Sequence, residues 1–194
     1  PTGTALNVDA SFANVNFQTN SSITQTANNA IAVNVNDHSV GTVDVDGTVT
    51  ATNGTGLQFN DADGIYRFDG TTVLNGGDAG VDILAASAGT FTFTDTTITN
   101  PTGVAFNIDA SSANVNFETA SSITQTANVA TAVNINDHTA GALVFDGDVT
   151  ATTGLGMQFN NADGSYDFDG TNSLTGGTAG IDILGGSNGA FVFA

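Results

Sequence analysis

The sequence predicts an all-β fold, a right-handed, three-faced parallel β-helix of about eight coils. Three observations carry that expectation. A short motif, small–apolar–polar–apolar, recurs at intervals of 24 to 27 residues. Apolar residues alternate with polar ones at period two, and no helical period is present. Residues 1–94 align without a gap on residues 101–194, with roughly two-thirds of positions identical.

The first segment of each coil is clearest in Gly80-Val81-Asp82-Ile83-Leu84 and Gly180-Ile181-Asp182-Ile183-Leu184. Further copies begin at Ala5, Ala32, Gly56, Ala105, Ala132 and Gly156. Each opens on Gly or Ala, which marks a tight corner where a larger side chain would collide. A second segment follows: Val15-Asn16-Phe17, Val43-Asp44-Val45, Tyr66-Arg67-Phe68 and Phe91-Thr92-Phe93, then the four equivalents from Val115 to Phe193. The third is shorter, centred on Ile23, Val49, Leu74 and Ile98, then Ile123, Val149 and Leu174. Twelve of the thirteen Phe occupy inward positions, and Phe12 is the exception. Gly, Asn, Asp, Thr and Ser fill the gaps, as turns require.

Strands this short cannot bury a face alone. Stacked at ~4.8 Å, each gains a parallel partner above and below, and eight coils give a rod of roughly 35–40 Å. Crossovers between parallel strands are right-handed in about 98% of cases, which sets the hand. The domain organisation is therefore one continuous solenoid. Residues 1–100 form one long repeat of four coils, and 101–194 a second whose last coil is incomplete.

Composition narrows the function. The chain has 194 residues, 19 of them acidic, with Arg67 as the single basic side chain, and its formal charge is −18. That field repels nucleic acid and anionic membranes. Cysteine is absent, so there is neither a disulfide framework nor thiol chemistry. No apolar run approaches the length of a membrane span. The chain starts at Pro1 rather than Met, which reads as a processed product or a piece of something longer.

The coil period, the Gly/Ala–apolar–polar–apolar corners and the Asn/Thr-rich turns resemble the right-handed parallel β-helix repeats of large bacterial surface proteins. Those are autotransporter-like passengers and giant adhesins, which share the pectin-lyase-like fold. The resemblance spans the whole chain and implies a fold more than an activity, since the same fold serves lyases, hydrolases, adhesins and phage tailspikes.

No catalytic residue is assigned. The enzymes of that fold need a basic proton acceptor, or clustered Asp with a cationic clamp on the substrate. Arg67 is the sole candidate, and its counterpart is Asp167. No Ser-His-Asp order, zinc motif or phosphate loop is present. His38 and His138, four coils apart, read as turn residues. Asn7, Asn34, Gln58 and Asp82, with Asn107, Asn134, Gln158 and Asp182, should form an outward amide ladder. The metal candidates are Asp61, Asp63, Asp69, Asp163 and Asp169, in Asp-rich turns whose oxygens suit calcium. Asp-Gly is also a common turn dipeptide, and that structural reading competes.

The expected function is a structural repeat of an extracellular fibre, surface filament or adhesin stalk, without enzymatic activity. The expected partner is another copy of the chain, head to tail, because the first coil is built to lie on the fourth and Phe191-Val192-Phe193 ends on an apolar strand. The alternative is a carbohydrate-binding or carbohydrate-active β-helix, with glycans or cations as ligands.

Overall fold

In the computed structural model, which describes residues 1–78, 80–127, 129–178 and 180–194, all regular structure is β and the strands pair in parallel. The chain winds through about eight turns of a β-solenoid. The first face holds β1 (Leu6–Asp9), β4 (Ile31–His38), β7 (Thr55–Ala62), β9 (Val81–Leu84), β11 (Phe106–Ser111), β14 (Val133–His138), β17 (Met157–Asn160) and β20 (Ile181–Leu184), in that spatial order. The second face holds β2 (Val15–Phe17), β5 (Thr42–Val45), the first halves of β8 (Ile65–Asn75) and β10 (Thr90–Thr99), then β12 (Asn114–Phe117), β15 (Ala142–Phe145), β18 (Ser165–Phe168) and β21 (Ala190–Phe193). The third holds β3 (Ser22–Gln25), β6 (Thr48–Ala51), the second halves of β8 and β10, β13 (Ser122–Gln125), β16 (Asp148–Ala151) and β19 (Asn172–Leu174). Because β8 and β10 run through the corner, the second and third faces form one hydrogen-bonded sheet.

Alternation places like residues over like. Val8 lies on Val35, Val35 on Phe59 and Phe59 on Ile83 along the first face. On the second, Phe68, Phe93, Phe117, Phe145, Phe168 and Phe193 form one ring column, with successive centroids 4.4 to 5.9 Å apart. The inward residues make one hydrophobic core that runs through both long repeats. The two repeats join as coils join elsewhere: Phe106 pairs with Val81 and Ile108 with Ile83.

Every coil turns its first corner through the left-handed region, entered by one residue in each coil and continued by Ala86 and Gly186 in the fourth and eighth. In order the entering residues are Ala10, Asp37, Asp61, Ala85, Ala110, Asp137, Asn161 and Gly185, with φ between 45° and 59°. Asp and Asn visit this region at lower cost than other side chains, which explains three of the aspartates. The corner before the first strand is tight as its sequence implies. A Cβ on Gly80 would lie 2.2 Å from the Ala105 carbonyl oxygen.

The third face departs from its expected register. Leu74 stacks on Ala51 rather than on Val49, and Val49 faces Thr72. Four positions separate Val45 from Val49 but six separate Phe68 from Leu74, so the straight path of β8 carries Leu74 two residues further along the face. Thr72 and Thr96 therefore occupy buried inward positions, where their hydroxyls have no protein partner.

Candidate functional site

The outward amide ladder forms as its spacing requires. Asn34 donates to Asn7 Oδ1 at 2.7 Å, and Asn134 donates to Asn107 Oδ1 at 2.7 Å. Asn107 in turn donates to Asp82 at 3.1 Å. Burial raises the Asp82 carboxyl above the ordinary carboxylate range, although the amides of Asn107 and Gln58 pull the other way. A second row repeats the device: Asn36 donates to Asp9, Asn136 to Asp109 and Asn160 to Asn136, at 2.6 to 2.7 Å. These side chains are bonded to one another along the rod axis.

The five candidate metal ligands do not assemble. Asp61 is the left-handed corner residue of its coil. Asp63 accepts the Ala88 N–H at 2.9 Å, and Asp163 accepts the Asn188 N–H at 3.0 Å. Each joins the turns of neighbouring coils. Among the described residues, Asp69 alone of the five enters a group of three carboxylates. Its partners are Asp44 and Asp46 of the preceding coil, with one oxygen from each within 4.8 Å of the others. Asp44 Oδ2 accepts from Asn16, and Asp44 Oδ1 is buried without a partner. Three carboxylates so close repel one another, and a hard cation takes such oxygens as part of its shell of six to eight.

Charge on this face is arranged differently in the two repeats. Asp44 lies opposite Arg67 in repeat 1, whereas Val144 lies opposite Asp167 in repeat 2. Burial raises the Asp167 carboxyl, and the neighbouring Asp169 and Asp146 raise it further. Between these two acidic regions the second face carries a shallow groove of about 210 Å³. Thr92, Asn116 and Val144 run down its length, with Thr90, Asn114 and Ala142 beside them. Thr and Asn supply hydroxyl and amide groups, and Ala and Val an apolar surface.

The histidines are not turn residues. His38 and His138 end β4 and β14 and are completely buried. His38 Nε2 meets the Ala13 carbonyl at 3.0 Å, and Nδ1 meets the Tyr66 hydroxyl at 2.9 Å. His138 repeats this with Ala113 at 3.1 Å and Tyr166 at 2.8 Å. A carbonyl only accepts, so Nε2 carries a proton, while Nδ1 faces the tyrosine hydroxyl; the Tyr66 O–H also lies within donating distance of the His38 carbonyl, at 3.2 Å. The Tyr66 hydroxyl also accepts the Gly64 N–H at 3.0 Å, as Tyr166 accepts Gly164 at 3.1 Å. Each set ties three successive coils together. A Cβ on Gly64 would lie 3.0 Å from His38 Nδ1, so the glycine makes room for the ring. Burial lowers the His138 imidazole below its ordinary 6.5, against the opposing bond to Ala113. Burial also pushes the Tyr66 and Tyr166 hydroxyls up to about 12. A link of this kind was visible only as a shared Asp-His and Gly-x-Tyr spacing, which does not say that the two rings meet.

Compared with protein-family models, with curated proteins and with solved structures, the chain matches none.

Proposed function

We propose that this chain is a structural repeat of an extracellular fibre, surface filament or adhesin stalk, which continues by stacking further copies end to end. The observation that carries the reading is the junction between the two long repeats. There β11 lies on β9 with Phe106 on Val81, in the register used by coils within a repeat. Residues 181–184 are the equivalents of 81–84, and residues 6–9 of 106–109. The same register would set Leu6 of a following copy on Ile181. Ile181, Ile183 and Leu184 present apolar surface suited to that contact, being 40 to 48% exposed. A head-to-tail contact of this type does not close on itself, so it builds an open rod. The reading assigns no catalysis.

Gly180 provides the test. The equivalent Gly80 is hemmed in by Ala105, while a Cβ on Gly180 meets nothing within 4 Å. Gly180→Ala should leave the melting temperature of the isolated chain unchanged and abolish rods, because the new methyl would strike the Ala5 carbonyl of the next copy. If the Gly180→Ala protein forms rods as well as the wild type in sedimentation and micrographs, the stacking proposal fails.

The groove on the second face favours one other reading, a carbohydrate-binding solenoid. Its uncharged hydroxyl and amide groups beside Ala142 and Val144 suit a sugar ring. Glycan binding by the wild type that Asn116→Ala abolishes, with no rods formed by the wild type, would support that reading over the structural one.

A further inference from the structure

The second long repeat acts as a folding control on the first. Both wind in the same way, so a difference that folding does not need can be recognised. Most inward differences exchange one apolar residue for another, as Leu6 with Phe106, Val8 with Ile108 and Val45 with Phe145. Among the outward differences, one corner of repeat 1 carries three exposed apolar residues where repeat 2 has small or polar ones. Phe12, Val40 and Ile65 are 72%, 56% and 41% exposed. Their counterparts are Ser112, Ala140 and Ser165.

These three residues share one corner in successive coils. A Cβ on Gly41 would lie 3.1 Å from the Phe12 carbonyl oxygen, and the Ile65 N–H donates to the Gly41 carbonyl at 2.9 Å. Gly41, which follows Val40, therefore lies against the Phe12 backbone, and Ile65 pairs with Thr42, two residues on from Val40, so the three residues lie along one edge of three successive coils. Asp61 and Asp63 belong to the same turn as Ile65, and the counterpart of Asp61 is the neutral Asn161. The repeat 1 corner thus gains apolar surface and negative charge together. Exposed apolar clusters cost solubility and mark contact surfaces. This one is not required for the coil, because repeat 2 builds the same corner without it.

We propose that the Phe12–Val40–Ile65 corner, with Asp61 and Asp63 beside it, docks a basic, amphipathic protein surface. Apolar side chains of the partner cover the three apolar residues, and its Lys and Arg groups meet the two carboxylates. Charge selects this occupant over a second copy of the chain. At −18, with Arg67 as its single basic side chain, the protein repels itself side by side and lacks the cations the corner calls for.

The probe is a synthetic amphipathic lysine–leucine peptide, compared with a lysine–serine peptide of equal charge. Binding is read by titration at about 0.15 M ionic strength, where charges beyond about 8 Å are screened. The combined variant Phe12→Ser, Val40→Ala, Ile65→Ser copies residues that repeat 2 already folds with. It should keep the wild-type melting temperature and bind the lysine–leucine peptide about tenfold or more weakly. The lysine–serine peptide should not distinguish the two proteins. The reverse transplant, Ser112→Phe, Ala140→Val, Asn161→Asp and Ser165→Ile, should add a second lysine–leucine site and double the stoichiometry. Unchanged affinity in the first variant, or no added site in the second, overturns the proposal. Side-by-side pairing of the peptide-free protein that the first variant abolishes would also overturn it, by making a second copy the occupant.

Discussion

At the scale of single residues, the buried His–Tyr pair makes the sharpest demand on the solution behaviour of the protein. Burial disfavours the charged form of the His138 ring and holds its ionisation below the ordinary 6.5. An unfolded chain takes up a proton near 6.5, whereas the folded ring takes it only at lower pH. Between those two points the unfolded state binds more protons, so this group contributes stability above pH 6.5 that is lost as pH falls towards the buried value. The tyrosines set the opposite limit. Their ionisation is pushed from 10.0 to about 12, so their contribution is lost as pH rises across that interval. An NMR titration should place the His138 ring midpoint below 6.5, and a midpoint at or above that value would contradict the geometry. Tyr166→Phe should cost about 1–3 kcal/mol in urea unfolding, because it strands both the Gly164 N–H and the imidazole Nδ1. Tyr66→Phe should cost a similar amount, since repeat 1 duplicates the arrangement.

At the scale of elements, the rod is held by columns rather than by individual strands. Phe117 sits between Phe93 at 4.4 Å and Phe145 at 4.8 Å and meets Phe106 edge-on at 5.0 Å. Its truncation opens a gap that neighbours on a hydrogen-bonded ladder cannot close. Phe117→Ala should therefore destabilise by about 3–5 kcal/mol, measured by denaturant unfolding, and a loss below about 1 kcal/mol would argue against a packed column. These columns were legible in the sequence because β-structure writes burial at period two, and Phe68, Phe93 and Phe117 fall on that beat. The amide ladder was legible for the same reason. The register on the third face was not, because Leu74 and Val49 look equivalent until the straight path of β8 displaces one from the other by two residues. The Asp44–Asp46–Asp69 group was legible in the sequence only as Asp-rich turns one coil apart, not as three converging carboxylates. Its members belong to two coils, and only the pairing of β5 with β8 brings them together. Asp61 and Asp63 stand out in the sequence as possible ligands, yet the fold uses one to turn a corner and the other to bond the next turn. Composition alone does not separate those roles.

At the scale of the whole molecule, the account rests on one repeated operation: each coil places the next in the same register, within a repeat and across the junction between repeats. A solenoid made this way has nearest-neighbour energetics and no intrinsic length. A formal charge of −18 would repel neighbouring molecules side by side, while the apolar columns hold the coils of the solenoid together along its axis. The most direct test is fibre diffraction or electron cryomicroscopy of the native material. The account predicts long rods with an axial spacing of ~4.8 Å between coils and a longer repeat of roughly 19 Å for each unit of four coils. Discrete particles no longer than the eight coils of one chain would contradict it.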